Sequence, residues 1–202
     1  MLKMLTNRKN YFLILLLFCL YGFSQDQEAT IFFKDGDSLQ GFAMIKNEKI
    51  KFRLSLDDKP DSWDEESVYK VKFYGFNITK TYVYLKPNKY EKTRLFELLV
   101  DGEVSLYLEG FSHFVNTSPN IPGSSQIVDK TYNYLKRKTD EYPTCINCFP
   151  LESWKKKTLV FFKDCPNLIK KIKSNELREI HLVDIVYFYN DYCTDDEEIF
   201  ED

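Results

Sequence analysis

Histidine is scarce in this chain, and its excess charge is acidic. Only two histidines occur, His113 and His181, and 31 Asp and Glu outnumber 28 Lys and Arg. A zinc finger needs a close histidine pair, and a zinc ribbon needs a second Cys-x-x-Cys, so neither pattern can be assembled from the histidines and the cysteines. We therefore expect no metal and no other cofactor. The acidic balance also makes a nucleic acid an unfavourable partner.

Long apolar runs are absent except for one near the first residue. Residues 11–20 are unbroken apolar, and Lys3, Arg8 and Lys9 precede them without any acid. Ten helical residues span about 15 Å, half the hydrocarbon thickness of a bilayer, which is too short for an anchor. The pattern is typical of a cleavable signal peptide over residues 1–24. We expect a periplasmic or extracellular protein with no membrane span after cleavage.

Cysteine is concentrated in the last third of the chain. Cys145, Cys148, Cys165 and Cys193 all follow the leader, and an even number in an exported chain favours disulfides, with three pairings possible. Cys165 precedes the second of three predicted helices, and Cys193 follows the third. A bond between these two cysteines would clamp that helical hairpin.

Residues 25–140 are predicted to form an antiparallel β region. Apolar and polar residues alternate through 49–56 and 103–110, as expected for half-buried strands. Asp35-Gly36 and Asp101-Gly102 lie between apolar runs and are typical of type I′ hairpin turns, and Asn47-Glu48 is a third candidate. The predicted strands are 29–34, 38–46, 49–56, 67–75, 79–86, 93–100, 103–110 and 130–138.

Residues 141–194 are predicted to be helical and to carry the cysteines. Apolar residues recur at helical spacing after Pro150, and Pro166 suits the first turn of a short helix. Residues 57–66 and 116–125 have loop composition, and the acidic tail 195–202 is predicted to be disordered. The fold class is therefore α+β, with a twisted antiparallel sheet, a sandwich or a small barrel followed by three helices.

Four stretches carry a resemblance to other proteins. They are Lys34-Asp-Gly-Asp-Ser-Leu-Gln-Gly41, Phe96-Glu-Leu-Leu-Val-Asp-Gly-Glu-Val-Ser-Leu-Tyr107, Tyr134-Leu-Lys-Arg137 and Phe161-Phe-Lys-Asp-Cys-Pro-Asn-Leu168. Together they resemble uncharacterised exported proteins of Gram-negative bacteria. The resemblance implies an exported protein of similar architecture, and it implies no activity.

Two short motifs suggest enzymes. Gly36-Asp37-Ser38-Leu39 resembles the nucleophile block of the Gly-Asp-Ser-Leu esterases, but Arg178 stands where that family has the aspartate three residues before its catalytic histidine. Cys145-Ile-Asn-Cys148 resembles a thiol-disulfide oxidoreductase motif, but no βαβ unit precedes it. We interpret the first as a hairpin turn and the second as a structural disulfide.

The loop around Trp63 suggests binding instead of catalysis. Trp63 is flanked by acids, and an exposed indole there could stack on a sugar or contact a basic protein patch. The alternative is that Trp63 folds back onto the sheet. Because no catalytic set is complete, the sequence favours a non-catalytic binding or structural module of the cell envelope, with an envelope protein or glycan as partner.

Overall fold

The computed structural model describes residues 26–75, 77–116, 125–148 and 153–194. The predicted signal peptide 1–24 and the acidic tail 195–202 lie outside these residues. The ten strands are β1 (Gln27–Phe33), β2 (Ser38–Lys46), β3 (Lys49–Arg53), β4 (Asp61–Trp63), β5 (Val68–Gly75), β6 (Ile78–Leu85), β7 (Arg94–Val100), β8 (Val104–Asn116), β9 (Ser125–Arg137) and β10 (Thr144–Cys145). The helices are α1 (Trp154–Phe161), α2 (Pro166–Lys173) and α3 (Leu182–Tyr192), and a 3₁₀ turn, Glu179–His181, precedes α3.

All ten strands form one antiparallel sheet, and the helices follow it. The strand order is β10-β9-β8-β7-β6-β5-β1-β2-β3-β4, so β10 and β4 are its two edges. This confirms the predicted α+β class and selects the twisted open sheet over the closed small barrel. Among the described residues, no helix has the length and apolar character needed to cross a membrane.

The first half of the sheet buries one of its faces by curling on itself. Ile31, Ile50 and Val71 on that face are fully buried. The Tyr84 hydroxyl of β6 donates to the Glu48 carbonyl in the β2–β3 turn at 2.9 Å, and the Glu48 carboxylate accepts from the Leu95 amide of β7 at 3.1 Å. These side-chain bonds join strands that share no backbone ladder, because three other strands separate β6 from β3.

The helices cover the same face in the second half of the sheet. Residues directly opposite each other on neighbouring strands share a face of the sheet. The face that contains Ile31 of β1 therefore also contains its successive partners Val71, Tyr82, Glu97 and Leu108. Against it pack the fully buried helical side chains Phe162, Leu168, Ile172, Ile185 and Val186. The curled half and the helical half therefore have two separate cores.

A polar network joins β9 to α1 and α3. Arg137 donates to the Tyr189 hydroxyl, to the Phe161 carbonyl at 2.8 Å and to the Asp164 carboxylate at 3.0 Å. Tyr189 in turn donates to Asp164 at 2.7 Å. Asn190 of α3 contacts the sheet separately, because its side chain bonds both the amide and the carbonyl of Val104, at 2.8 and 2.9 Å.

Two of the predicted turn types are wrong. In the β1–β2 turn only Gly36 has a positive φ, and the Phe33 amide donates to the Asp37 carbonyl at 2.9 Å, which makes a three-residue loop. Gly102 in the β7–β8 turn lies outside the positive-φ region. The type I′ geometry belongs to Asn47-Glu48, whose φ angles are 53° and 59°.

The strand boundaries hold at most positions, with four corrections. The strands predicted at 103–110 and 130–138 are longer, because β8 continues to Asn116 and β9 begins at Ser125. The predicted loop 116–125 lies outside the described residues except for these two ends. The predicted strand 49–56 ends at Arg53, whose guanidinium folds back to the Leu56 carbonyl, so Leu54 and Leu56 are exposed and not part of the core. The predicted loop 57–66 contains the edge strand β4. The predicted helical region 141–194 begins with another edge strand, β10, which pairs with β9.

Candidate functional site

The opposite face of the sheet buries charge near β7, β8 and β9. The alternation in β8 predicts that Ser105 and Glu109 face solvent, but they are only 7% and 4% exposed. That prediction is wrong because this face is covered too. Phe96 of β7 lies on it with no exposed surface, and the ring of Tyr134 packs edge-on against Phe96 with 5.1 Å between centroids.

Arg94 at the start of β7 compensates the buried carboxylate. Its Nη2 donates to Glu109 Oε2 at 3.1 Å, its Nε contacts Glu109 Oε1, and its Nη1 pairs with Glu91 at 2.6 Å. Burial lowers the pKa of Arg94, but the hydrogen bonds that its guanidinium donates to Glu109 and Glu91 outweigh this effect, and the net pKa is raised. The guanidinium therefore stays charged, as a two-point partner for Glu109.

Tyr134 of β9 connects this ion pair to a disulfide. Its hydroxyl donates to Glu109 Oε2 at 2.9 Å, and the Cys148 sulfur lies 3.4 Å from the hydroxyl oxygen. Burial and the neighbouring Glu109 raise the pKa of Tyr134 well above its ordinary value. The phenol is therefore a neutral donor across the physiological range, and Glu109 has donors on both sides.

The Cys145–Cys148 disulfide forms a short staple beside Tyr134. Its Cα atoms are 5.8 Å apart, and Cys145 of β10 lies directly opposite Tyr134, so both residues share the face that carries Glu109. The two residues inside the staple are anchored. Ile146 is fully buried, its amide donates to the Asn133 carbonyl at 2.8 Å, and the Asn147 side chain accepts from the Asn133 amide at 2.8 Å.

These groups surround a cleft of about 370 Å³, which we call the staple cleft. Its volume is within the range of small-ligand sites. The lining combines two carboxylates, a guanidinium, an amide, tyrosine rings and the disulfide. Its described residues are Pro87, Asn88, Glu91, Arg94, Glu109, Tyr132, Tyr134, Pro143, Cys145 and Cys148. A buried ion pair that lines a cleft is a recognised indication of a functional site.

The second disulfide lies away from this cleft. Cys165 and Cys193 pair with 5.7 Å between their Cα atoms, which closes the hairpin of α2 and α3 as the sequence predicted. Cys165 is 4% exposed and belongs to the helical core. This arrangement braces the helices against each other.

The residues of the esterase hypothesis do not come together. Ser38 is exposed at the start of β2, whereas His181 lies in the 3₁₀ turn before α3, where its Nδ1 accepts from the Arg178 amide at 3.2 Å. His113 lies in β8, in register with Val128, and its side chain is outside the described part of the structure. Within that part, no hydrogen bond links the Ser38 hydroxyl to a histidine.

Trp63 lies in β4 and packs back onto the sheet. Its ring meets Phe33 edge-on with 5.0 Å between centroids, and the side chain is half-buried against the curled core. One edge also lines a shallow groove with Ser38 and Glu66. This packing corresponds to the alternative in which Trp63 folds back onto the sheet, and not to an exposed indole that stacks on a sugar.

Sequence reasoning missed the ion pair at the centre of the cleft. Arg94 and Glu109 lie 15 residues apart on strands whose alternation marks them as solvent-facing. The available signal was the pair of tyrosines in β9, Tyr132 and Tyr134, which sit two residues apart and therefore on one face.

Over residues 26–75, 77–116, 125–148 and 153–194, no three His, Cys, Asp or Glu side chains are arranged to hold a metal ion. In comparisons with known proteins, no family model, no curated protein and no solved structure matches this chain.

Proposed function

We propose that this chain is an exported, non-catalytic binding protein of the cell envelope, and that the staple cleft binds a neutral glycan. The observation that carries the proposal is the cleft itself, in which Arg94, Glu109 and Tyr134 converge beside the Cys145–Cys148 bond. Removing a carboxylate and a guanidinium from water carries a desolvation penalty, and perturbed charged groups in a cleft are concentrated at functional sites.

The charges of the cleft favour an uncharged polar ligand. Arg94 and Glu109 neutralise each other, and Glu91 adds a negative charge at the rim, so an anion is disfavoured. Carboxylate, guanidinium and amide groups supply both hydrogen-bond donors and acceptors. Sugar hydroxyls also donate and accept, and the apolar face of a sugar ring packs against tyrosine.

Export is supported by two independent features of the chain. The basic and apolar composition of residues 1–24 is typical of a signal peptide. Both disulfides lie in the part that would remain after cleavage, and disulfides persist in oxidising compartments. The resemblance to exported proteins of Gram-negative bacteria agrees with this proposal.

Titration calorimetry of the oxidised protein with a neutral oligosaccharide panel, including chitotriose and maltotriose, tests the ligand class. We expect binding of at least one sugar, at least tenfold weaker in Tyr132→Ala, because the ring lines the cleft. Tyr187→Ala removes a half-exposed tyrosine from α3 and is the matched control. Absence of binding across the panel, or equal losses in both variants, contradicts the glycan assignment.

A thiol-disulfide oxidoreductase is the second candidate, because the Cys145–Cys148 bond lines the cleft and is half-exposed. Against it, Ile146 is a buried anchor inside the staple, and α1 begins nine residues after Cys145 instead of following the motif directly. Insulin reduction by the purified protein that disappears in Cys145→Ala would favour this candidate over the binding module.

A further inference from the structure

The two helices α1 and α2 carry a concentration of positive charge. Residues 155–173 contain seven lysines and one acid, Asp164, in a chain with net charge −3. The rest of the chain is therefore more acidic than the net charge of −3 suggests. Such separation of charge on one molecule orients it toward an anionic partner.

The packing of α1 against α2 brings the lysines of the two helices close together in space. Lys155 at the start of α1 donates to the Lys173 carbonyl at the end of α2 at 3.1 Å and to Asn175 at 2.7 Å, so the helices run antiparallel. Lys156, Lys163, Lys170 and Lys173 are exposed.

An apolar residue stands in the middle of the exposed side of α1. Lys156 and Val160 lie four residues apart on α1 and therefore share a helical face. Lys163, in the turn that follows α1, lines the same surface depression as these two residues. Val160 is 64% exposed, between the two lysines. We call Lys156, Val160 and Lys163 the basic stripe.

A groove of about 480 Å³ lies beside the basic stripe. The strand β10 and helix α1 form it, with Thr144, Val160 and Phe161 in its lining and Lys156 and Lys157 beside them. The groove therefore combines apolar contact surface with ammonium groups. This combination suits an amphiphile that has an anionic head.

We propose that the basic stripe and its groove bind an anionic lipid surface, so that the protein attaches peripherally to a membrane. Charge complementarity carries the assignment: lysine ammoniums meet headgroup phosphates, while Val160 contacts the acyl boundary. Among the described residues, Cys145 lines both this groove and the staple cleft, but the inference does not depend on the glycan proposal.

The residue type favours lipid over an acidic protein. Residues 153–174 contain seven lysines and no arginine. Arginine is the residue that recognises a fixed carboxylate at two points, whereas lysine acts as a point charge on a flexible stem. Several lysine charges therefore suit the mobile phosphates of a fluid bilayer.

Flotation of residues 25–202 with vesicles tests the proposal at 0.1 M salt. We expect binding to vesicles of equal parts phosphatidylglycerol and phosphatidylcholine, and at least tenfold weaker binding to phosphatidylcholine alone. Each lysine near an anionic surface contributes about fivefold in affinity, so Lys156→Gln with Lys163→Gln should weaken binding about 25-fold. Val160→Ser should weaken it a few-fold through lost apolar contact.

The matched control removes two exposed lysines from the curled half of the sheet, Lys46→Gln with Lys59→Gln, and should leave vesicle binding within twofold. Equal binding to neutral vesicles, no binding to anionic vesicles, or equal losses in both double variants would overturn the proposal. Binding to polyglutamate without binding to vesicles would overturn it in favour of an acidic protein partner. All substituted lysines are exposed, so circular dichroism should show unchanged folding.

Discussion

Gly102 packs so closely against Asn190 that the effect of Gly102→Ala on stability should depend on whether residue 190 is asparagine or alanine. A Cβ added at Gly102 would lie 2.3 Å from Asn190 Nδ2 and 2.7 Å from its Cγ, and the three nearest atoms all belong to Asn190. No real Cβ tolerates such a distance. In Gly102→Ala the Asn190 amide must therefore leave its position.

The cost follows from the bonds that Asn190 makes. Its side chain satisfies both the amide and the carbonyl of Val104, and Val104 is fully buried. Leaving a buried backbone group unsatisfied costs about 1 to 3 kcal/mol. Because two groups lose their partner, we expect Gly102→Ala and Asn190→Ala each to lower the free energy of unfolding by about 2 to 6 kcal/mol.

The double variant separates a collision from a backbone effect. Gly102 does not occupy a positive φ, so alanine is allowed there once Asn190 is truncated. In the Asn190→Ala background, Gly102→Ala should then be neutral or stabilise by up to about 1 kcal/mol, because alanine restricts the unfolded chain. Urea unfolding of the oxidised protein, followed by circular dichroism, measures all four free energies. A loss of about 2 kcal/mol or more from Gly102→Ala in both backgrounds would refute the reasoning.

Two further predictions concern the helical half. Replacing both Cys165 and Cys193 by serine should lower the free energy of unfolding by about 3 to 4 kcal/mol, and replacing both staple cysteines should lower it by about 2 kcal/mol. The difference arises because the two disulfides join cysteines 28 and 3 residues apart in sequence. Equal urea midpoints for the two double variants would contradict this order. Burial raises the pKa of Asp164, but bonds from Tyr189 and Arg137 outweigh it and hold the pKa below the ordinary 3.8. A depressed pKa stabilises the fold above about pH 4 and this stabilisation is lost as the pH falls through the folded value, so Asp164→Asn should destabilise at pH 7 and converge with the parent near pH 2; a constant difference in urea midpoints would contradict it.

Several elements could be predicted because their causes are local. From Lys70 to Tyr74 the strand β5 alternates buried and more exposed residues, as its sequence predicts. Pro166 occupies the first turn of α2 because its ring fixes φ and needs no amide donor there. The pairing of Cys165 with Cys193 followed from their positions at the two ends of one predicted helical hairpin.

The staple cleft could not be predicted in the same way. Alternation assigns Glu109 to the solvent face. Its burial is possible because Arg94 and Tyr134, on the two neighbouring strands, donate hydrogen bonds that offset the loss of solvation. The strand β10 has two residues, which are too few to show any periodicity. It is a strand only because its backbone pairs with β9.

The sequence by itself therefore determined the order of the eight longer strands and the three helices, and the chemistry available along them. The tertiary structure decided which polar residues are buried, how the sheet curls, and which lysines share a surface. The physical reason is range: periodicity and turn preferences act over a few residues, whereas Val104 and Asn190 meet across 86. Contacts of that range depend on the packing of the whole fold.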